Sequence, residues 1–477
     1  MRSAPAHAPA LRDDSAAIDY GTLAAALGRE ESWLRASGIA RCALQAGNGV
    51  AWAVADVALH VAGIPNVPLP SWFLDAQLCH ALDDAGIDAV LTDVPDRFAA
   101  WPAFEDHGIA PGSGLRLLRR PPPPTSPWPE GTVKVTYTSG STGTPKGIPL
   151  TSSALESVAA SIVGATASLG IRRHLALLPL PTLLENVAGL HASVLAHAEC
   201  VLPARTGVGA GELDVPRLLA VLGMHAPQSV ILVPELLRAL VIARTRGWSA
   251  PPGLAFAAVG GAAVAPDLLA EAATLGLPVY EGYGLSECAS VVCLNVPGAN
   301  RPGSVGRPLP HARVEVDATG EVHVRGAVAA GSTEVATGDL GEFDSDGYLH
   351  LRGRRRNVFI TSLGRNVSPE WIERELLRAP EIAHALAFGE SRPRPVALLA
   401  PVDPSVSDTA LAVAVERANA RLPEYAQVCE WARMPRLTPA DGTLTPNGRP
   451  RRERVAALHA ERLARLGAVS VPQQESR

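Results

Sequence analysis

One stretch limits this chain more than any other: Val133 to Thr151, which reads VKVTYTSGSTGTPKGIPLT. Val133, Val135 and Tyr137 alternate with Lys134, Thr136 and Thr138, the period-two pattern of a half-buried strand, before the text breaks into glycine, serine, threonine and proline. Such a loop exposes many donors in a short span. Gly140 and Gly143 let the backbone approach a ligand closely, Thr138, Ser139, Ser141, Thr142 and Thr144 offer hydroxyls, and Lys146 adds a positive charge. A polyphosphate needs this set of groups. Beyond Leu150 a helix is expected, because Ser153 and Glu156 have capping-box spacing and Leu155, Val158, Ala159, Ile162 and Val163 recur with helical period.

A Walker phosphate loop would require glycine at Pro145 and a hydroxyl residue at Gly147, so it does not fit. A Ser/Gly surface linker is the bland alternative, and linkers rarely place a single lysine behind an alternating strand. Of 42 basic residues only Lys134 and Lys146 are lysines, which points to a position at Lys146 that wants a compact ammonium.

YTSGSTGTPKG resembles the phosphate-loop signature of the adenylate-forming superfamily of acyl-CoA synthetases, peptide-synthetase adenylation domains and luciferases. NVFITSLGRNVSPEWIE and LTPADGTLTPNGRPRRER are spaced most like the long-chain acyl-CoA synthetases, the fatty acid–CoA ligases. The resemblance implies an α/β fold in which a large multi-subdomain N-terminal domain of mixed sheets and helices, residues 1–353, precedes a small mobile C-terminal α/β lid domain, residues 354–477.

Composition agrees with a chain of this kind. At 477 residues it is too long for one small domain, and 47% hydrophobic with 19% charged residues describes a soluble globular protein. A net charge of −5 gives no sign of a nucleic-acid binder, so any anionic ligand is held locally. Six scattered cysteines without a Cys-x-x-Cys pair argue against a zinc ribbon or a dense disulfide framework and make a reducing cytoplasm the simplest location. The N-terminal text lacks the apolar core of a signal peptide, and the Ala/Val-rich run after Gly49 is interrupted by Asp56, His60 and Asn66, so no membrane span is expected.

In chain order, residues 1 to about 16 read as disordered, Tyr20 to Ala36 as a helix, Ala40 to Leu44 as a strand, Val50 to Ala62 as a helix, Asn66 to Pro68 as a strand and Ala76 to Ala85 as a helix. Pro121 to Pro124 and Pro127-Trp128-Pro129 should form a stiff exposed connector. His174 to Pro203 reads as an apolar strand, a proline-bent turn and a mainly apolar helix. There long-chain synthetases usually have histidine where Thr182 stands and an acidic residue matching Glu185. His191 and His197 are read as satisfied residues, not ligands.

Leu254 to Val259 is a buried-type strand ending in Gly260-Gly261, and Pro266-Asp267 opens a helix, as at the carboxyl edge of a parallel sheet where small residues leave room for a flat ring. Val279-Tyr280 runs into EGYGLSEC, in which Tyr283 can stack on a base, Gly284 turns the chain and Glu287 presents a carboxylate. This text is similar to the family's YGxTE motif, which implies adenine packing for Tyr283, an α-phosphate contact for Ser286 and Mg²⁺ binding for Glu287; a plain strand-to-loop turn is the alternative. Asp339, between a turn glycine and a short strand, can accept two hydrogen bonds from ribose hydroxyls, the role the resemblance implies, and Arg354 would add a charged contact beside it. Arg352 and Arg355 read as a solvated basic face, and Arg354 to Arg356 as a hinge.

Beyond the hinge the text gives a strand at Val358 to Thr361, a turn at Gly364, a helix opened by Ser368-Pro369, a strand near Val396 to Leu399 and an amphipathic end helix over Val455 to Leu466. In the family the terminal motif carries a lysine that bridges the substrate carboxylate and ATP oxygens; Arg449 stands at that position. The activity implied is a two-step ligation, in which a carboxylic acid and Mg·ATP give an acyl-adenylate, and a thiol then takes the acyl group. Coenzyme A is the expected acceptor, an acyl carrier protein's phosphopantetheine the next, and a degenerate nucleotide- or acyl-binding protein the alternative of a different class. Which acid is activated is not written in these motifs.

Overall fold

The computed structural model describes residues 5–71, 73, 75–99, 101, 104–123, 127–139, 145–208, 213–262, 264–360, 366–390, 392–445 and 448–466. Within them the strand Thr132–Ser139 lies second from one edge of a seven-stranded sheet ordered Glu105–Ile109, Arg116–Arg119, Ala89–Thr92, Cys42–Gln45, Asn66–Pro68, Thr132–Ser139, Pro145–Thr151. The Ala89 to Ser139 side of this order is parallel through four strands, and antiparallel strands finish both edges. Helix Val50–Ala62 makes one crossover and stops at Gly63, whose φ of 68° is the left-handed conformation that glycine enters without a Cβ penalty.

A second sheet of nine strands holds six parallel ones in the order Val279–Leu285, Phe256–Val259, Ser229–Leu232, Arg173–Leu175, Glu199–Val201, Pro9–Arg12. One apolar core, including Leu11, Leu44, Trp52, Leu59, Leu190 and Leu202, joins the two large sheets. The chain then forms a four-stranded antiparallel meander, Ala312–Val316, Glu321–Gly326, Glu334–Phe343 and Leu349–Arg354. A C-terminal unit follows, with strands Ile382–Phe388, Val396–Pro401 and Glu430–Arg433. In Val396–Pro401 the side chains alternate between two cores: Ala397 and Leu399 face helices Pro369–Leu376 and Asp408–Asn419, while Val396, Leu398 and Ala400 face the end helices. The predicted α/β class with a large N-terminal and a small C-terminal domain is what folds.

Helices Tyr20–Ala36 and Val50–Ala62 and strand Asn66–Pro68 occur at the predicted bounds. Several expectations need correction. The N-terminal segment is ordered from Pro9, because Ala10 and Leu11 are buried as Pro9–Arg12 adds in parallel to Glu199–Val201. Strand Thr132–Ser139 is covered on both faces: Lys134 is 1% exposed and Thr136 is buried as well. The helix after Leu150 starts at Ser152, with Thr151 as its cap accepting from the amide of Ala154 at 3.2 Å; Glu156 instead accepts from Ser152 Oγ at 2.6 Å. Gly284 does not turn the chain. It lies within Val279–Leu285 at an irregularity, and a Cβ there would fall 1.8 Å from the carbonyl oxygen of Ser290, so its role is close approach. Asp339 sits inside the ten-residue strand Glu334–Phe343, not beside a short one. The end helix is two short helices, Arg452–Leu458 and Ala460–Arg465, broken at His459. Segment 184–191 is a π-helix, a rare form that is frequent at functional sites. Among the described residues no helix is long and apolar enough to cross a membrane, and all six cysteines are free thiols.

Candidate active site

Parallel strands expose their carboxyl ends together, and the loops leaving those ends can converge on one ligand. Phe256–Val259 leaves through Gly260 and Gly261, and Val279–Leu285 leaves through a 3-10 turn, Ser286–Cys288, that carries Ser286 and Glu287. A Cβ on Gly260 would lie 2.9 Å from the carbonyl oxygen of Gly282, so glycine there lets the neighbouring strand pass closely. After Glu287 the chain reverses through Ala289 (φ 54°) and Ser290 (φ 114°), left-handed conformations that side chains rarely adopt. Segment 329–330 ties this turn to the lysine strand: the Ala329 amide donates to the Glu287 carbonyl at 2.7 Å and the Ala330 amide to the Pro149 carbonyl at 2.8 Å.

Asp339 is buried between two donors. The Tyr283 hydroxyl donates to its Oδ2 at 2.6 Å and Arg354 Nε lies 2.8 Å from its Oδ1, the pair standing opposite each other across adjacent antiparallel strands. Burial, reinforced by the Asp339 carboxylate, pushes the Tyr283 phenol well above its ordinary value, so it remains an O–H donor. Each carboxylate oxygen keeps lone-pair capacity for a further hydroxyl. Glu287, half-buried, makes no side-chain hydrogen bond among the described residues and lies within electrostatic reach of Arg449, a hard oxygen donor with capacity to spare. Such a group fits Mg²⁺.

Arg449 arrives from the C-terminal unit. Its Nε donates to the Gly261 carbonyl at 2.5 Å. The residue retains solvent exposure, but its guanidinium reaches among protein groups: burial, then Arg354, lower its proton affinity, and Asp339, Glu287 and Tyr283 oppose them. Arginine stays protonated throughout. Thus Gly261, Tyr283, Glu287, Asp339, Arg354 and Arg449, predicted from four separate segments, occupy one cleft. Lys146 begins the strand Pro145–Thr151, is exposed, and pairs in register with Thr138. Thr138 and Ser139 end the preceding strand; Gly140, Ser141, Thr142 and Gly143 lie outside the described residues. Of the basic turn, Arg352 pairs with Glu342 and Arg355 with Glu321, both at the surface as expected.

Two buried networks near the site escaped sequence reasoning. Lys134 Nζ donates to Asp56 at 2.7 and 3.0 Å and to Asn186 Oδ1 at 2.5 Å, and His191 Nε2 and Asn186 Nδ2 each lie 2.9 Å from Asp56 Oδ2. His191 is therefore satisfied, as read. Glu185 accepts the Leu178 amide at 3.0 Å and pairs at 2.8 Å with His174, whose other ring nitrogen meets Ser229 Oγ at 2.9 Å. Both networks pin the π-helix. The signal available was Asp56 in an otherwise apolar helix and a lysine in a chain with two. Thr182 Oγ1 closes its own turn by donating to Pro179 O at 2.5 Å.

A further buried acid, Glu281, lies two residues before Tyr283 in the same strand. Burial raises the Glu281 carboxyl to about 8, with Arg374 and the Val264 amide opposing. Its folded value is above its unfolded one, so the stabilisation it contributes is full below about pH 4.5 and is lost as pH rises through about 8. Glu281→Gln is expected to remove that loss: urea melts of the two proteins from pH 5 to 9 should show the variant gaining on the wild type as pH rises.

The AMP-binding enzyme family matches residues 2–338, and the AMP-binding enzyme C-terminal domain matches residues 356–466. Among curated relatives, the long-chain-fatty-acid–CoA ligase FadD15 of Mycobacterium bovis is 27% identical over 86% of this chain and 85% of its own length. The 2-succinylbenzoate–CoA ligase of Bacillus cereus is 28% identical over 72% and 73%, and the sulfoacetate–CoA ligase of Cupriavidus necator 31% over 67% and 64%. Among solved structures, the anthranilate CoA ligase AuaEII with anthranoyl-AMP superposes with a TM-score of 0.81 at 19% identity, covering 96% of this chain and 95% of that one, which bears on fold. The match to more than half of the chain, followed by the family's own C-terminal domain, makes this chain a member of the AMP-binding enzyme family.

Proposed function

We propose that the protein is an AMP-forming acid–thiol ligase that activates a carboxylic acid as its acyl-adenylate and transfers the acyl group to coenzyme A. The observation that carries this reading is the entry of Arg449 into the cleft that holds Tyr283, Glu287, Asp339 and Arg354. A substrate carboxylate oxygen bonds to the α-phosphorus of ATP while the bond to the pyrophosphate leaving group breaks; the thiolate of CoA then attacks the acyl carbon and AMP leaves. The protein needs no nucleophile of its own, and its work is positioning and charge neutralisation. Lys146 and residues 138–143 cradle the phosphates, Tyr283 with Gly260, Gly261 and Gly284 flanks the base, Asp339 and Arg354 hold the ribose side, and Ser286 contacts the α-phosphate. Glu287 would hold Mg²⁺, which would supply neutralisation of the phosphate charge.

For the acid we favour an aliphatic chain. A slot of about 70 Å³ beside Phe256–Val259 is walled mainly by apolar groups such as Ile162, Leu184, Ala188, Phe256 and Val291, with Thr166, His174, Ser193 and Ser229 also on its lining and, among the described residues, no arginine or lysine to pair with a charged tail. Incubation with ATP, Mg²⁺, CoA and a panel of aliphatic, aryl and sulfonated acids should yield AMP and an acyl thioester detectable by mass spectrometry, best with the aliphatic acids. ADP as product contradicts the reading. Lys146→Ala and Glu287→Ala are each expected to lower turnover by about 10²-fold, since both face charge that develops in the transition state; wild-type turnover in either variant removes that residue from the site.

A further inference from the structure

Several arginines cross between the two units, Arg374 onto the Leu351 carbonyl among them, and the arrangement of four others has a consequence for how Arg449 is delivered. Arg378, just past the end of helix Pro369–Leu376, makes a two-toothed pair with Asp267 at the start of helix Pro266–Thr274. Glu375, one turn earlier, holds the same guanidinium at 3.2 Å. In the opposite direction Arg238, in helix Pro234–Thr245, donates to the carbonyl of Leu377 at 3.3 Å and to that of Ile382 at 3.4 Å. Leu377 is the C-cap of the C-terminal unit's first helix, where unpaired carbonyls and the helix dipole favour a cation. Arg436 reaches Glu235 at 3.5 Å. The fourth is Arg449 on Gly261.

These contacts are not all attractive. Arg238 and Arg436 lie close enough that each disfavours charge on the half-buried His384, and Arg436 also lowers the proton affinity of Arg238. Burial keeps His384 neutral, at about 4, so it does not add a third charge. The junction therefore combines one strong bidentate pair with like-charge crowding, which suits a contact that must both form and release.

We propose that Arg378–Asp267 and Arg238 form a latch that holds the C-terminal unit in the orientation where Arg449 meets the cleft, making them positioning residues for adenylate formation that disengage before thiol transfer. The proposal rests on the ligase reading above. None of these groups touches the cluster of Tyr283, Asp339 and Glu287, so their effect on chemistry passes through Arg449. A latch shifts the equilibrium between two orientations, so its loss slows only the step that uses the latched one.

The test measures two half-reactions separately on the full chain: acid-dependent ATP–pyrophosphate exchange, and thioester formation from CoA and a pre-formed acyl-adenylate. Arg378→Ala and Asp267→Ala should each lower exchange about tenfold, and the double variant should be no slower than either, because both singles remove the same contact. Arg378→Lys should retain more exchange than Arg378→Ala. Thioester formation should be unchanged or faster in all of them. Small-angle scattering of Arg378→Ala should show a wider distribution of dimensions than the wild type, a readout that needs no activity. Equal slowing of both half-reactions, additive loss in the double variant, or unaltered exchange would overturn the latch. Absence of acid-dependent exchange in the wild type itself would instead remove the ligase reading on which it stands.

Discussion

Arg449→Ala is expected to slow acyl-adenylate formation by about 10²- to 10³-fold, the loss that follows removal of one preorganised donor from developing charge. The residue stands where the resemblance implies lysine. A guanidinium can grip two oxygens in a planar fork but cannot sit as a compact ammonium between carboxylate and phosphate. In this protein the fork is already partly engaged, since Nε is spent on the Gly261 carbonyl and the terminal nitrogens remain for substrate. Arg449→Lys should accordingly leave the adenylation rate equal or raise it. Thioester formation from a supplied acyl-adenylate should hardly change in either variant if, as the latch proposal has it, that step uses another orientation of the C-terminal unit. Single-turnover measurement of both steps decides the matter: wild-type adenylation by Arg449→Ala on every acid tested would mean the assignment is wrong.

Asp56→Ala is expected to cost about 3–5 kcal/mol of stability, because it leaves the Lys134 ammonium buried without its counter-charge. Burial alone would raise the Asp56 carboxyl and lower the Lys134 ammonium, but their contact outweighs it for Asp56, which is held well below the usual carboxylate range with help from His191 and Asn186. Replacing both ends with apolar residues of similar volume, Asp56→Leu with Lys134→Met, should recover only part of the loss, since it removes the unpaired ammonium but leaves Asn66, Asn186 and His191 without their buried acceptor. Chemical denaturation of the single and double variants measures both. A loss under 1 kcal/mol in Asp56→Ala would contradict a buried, ionised pair.

The parts of the fold legible in the sequence are those governed by neighbours along the chain. Val50–Ala62 could be bounded to the residue because Gly49 and Gly63 punctuate a mainly apolar run. Pro266–Thr274 was legible from proline in the first turn. What stayed hidden depends on residues far apart. Lys134 reads as a solvent-facing position until Asp56, 78 residues earlier, is seen against it. Pro9–Arg12 reads as a disordered start because its parallel partner, Glu199–Val201, is nearly 190 residues away. A π-helix leaves no period in a text of leucine and alanine, and Gly284 looks like any turn glycine until Ser290 folds back on it. The same holds at the site. Tyr283, Glu287 and Asp339 were found by motif, yet the hydrogen bond from Tyr283 to Asp339 spans 56 residues and appears only in the folded chain.

ATP–pyrophosphate exchange measures directly, without needing the thiol, whether this site joins a carboxylate to AMP reversibly. With labelled pyrophosphate, ATP, Mg²⁺ and a series of aliphatic acids, label should enter ATP only when an acid is present, and far more slowly in Arg449→Ala. Label entering ATP without any acid, or no exchange with any acid while ATP is still hydrolysed to ADP, would contradict the ligase reading.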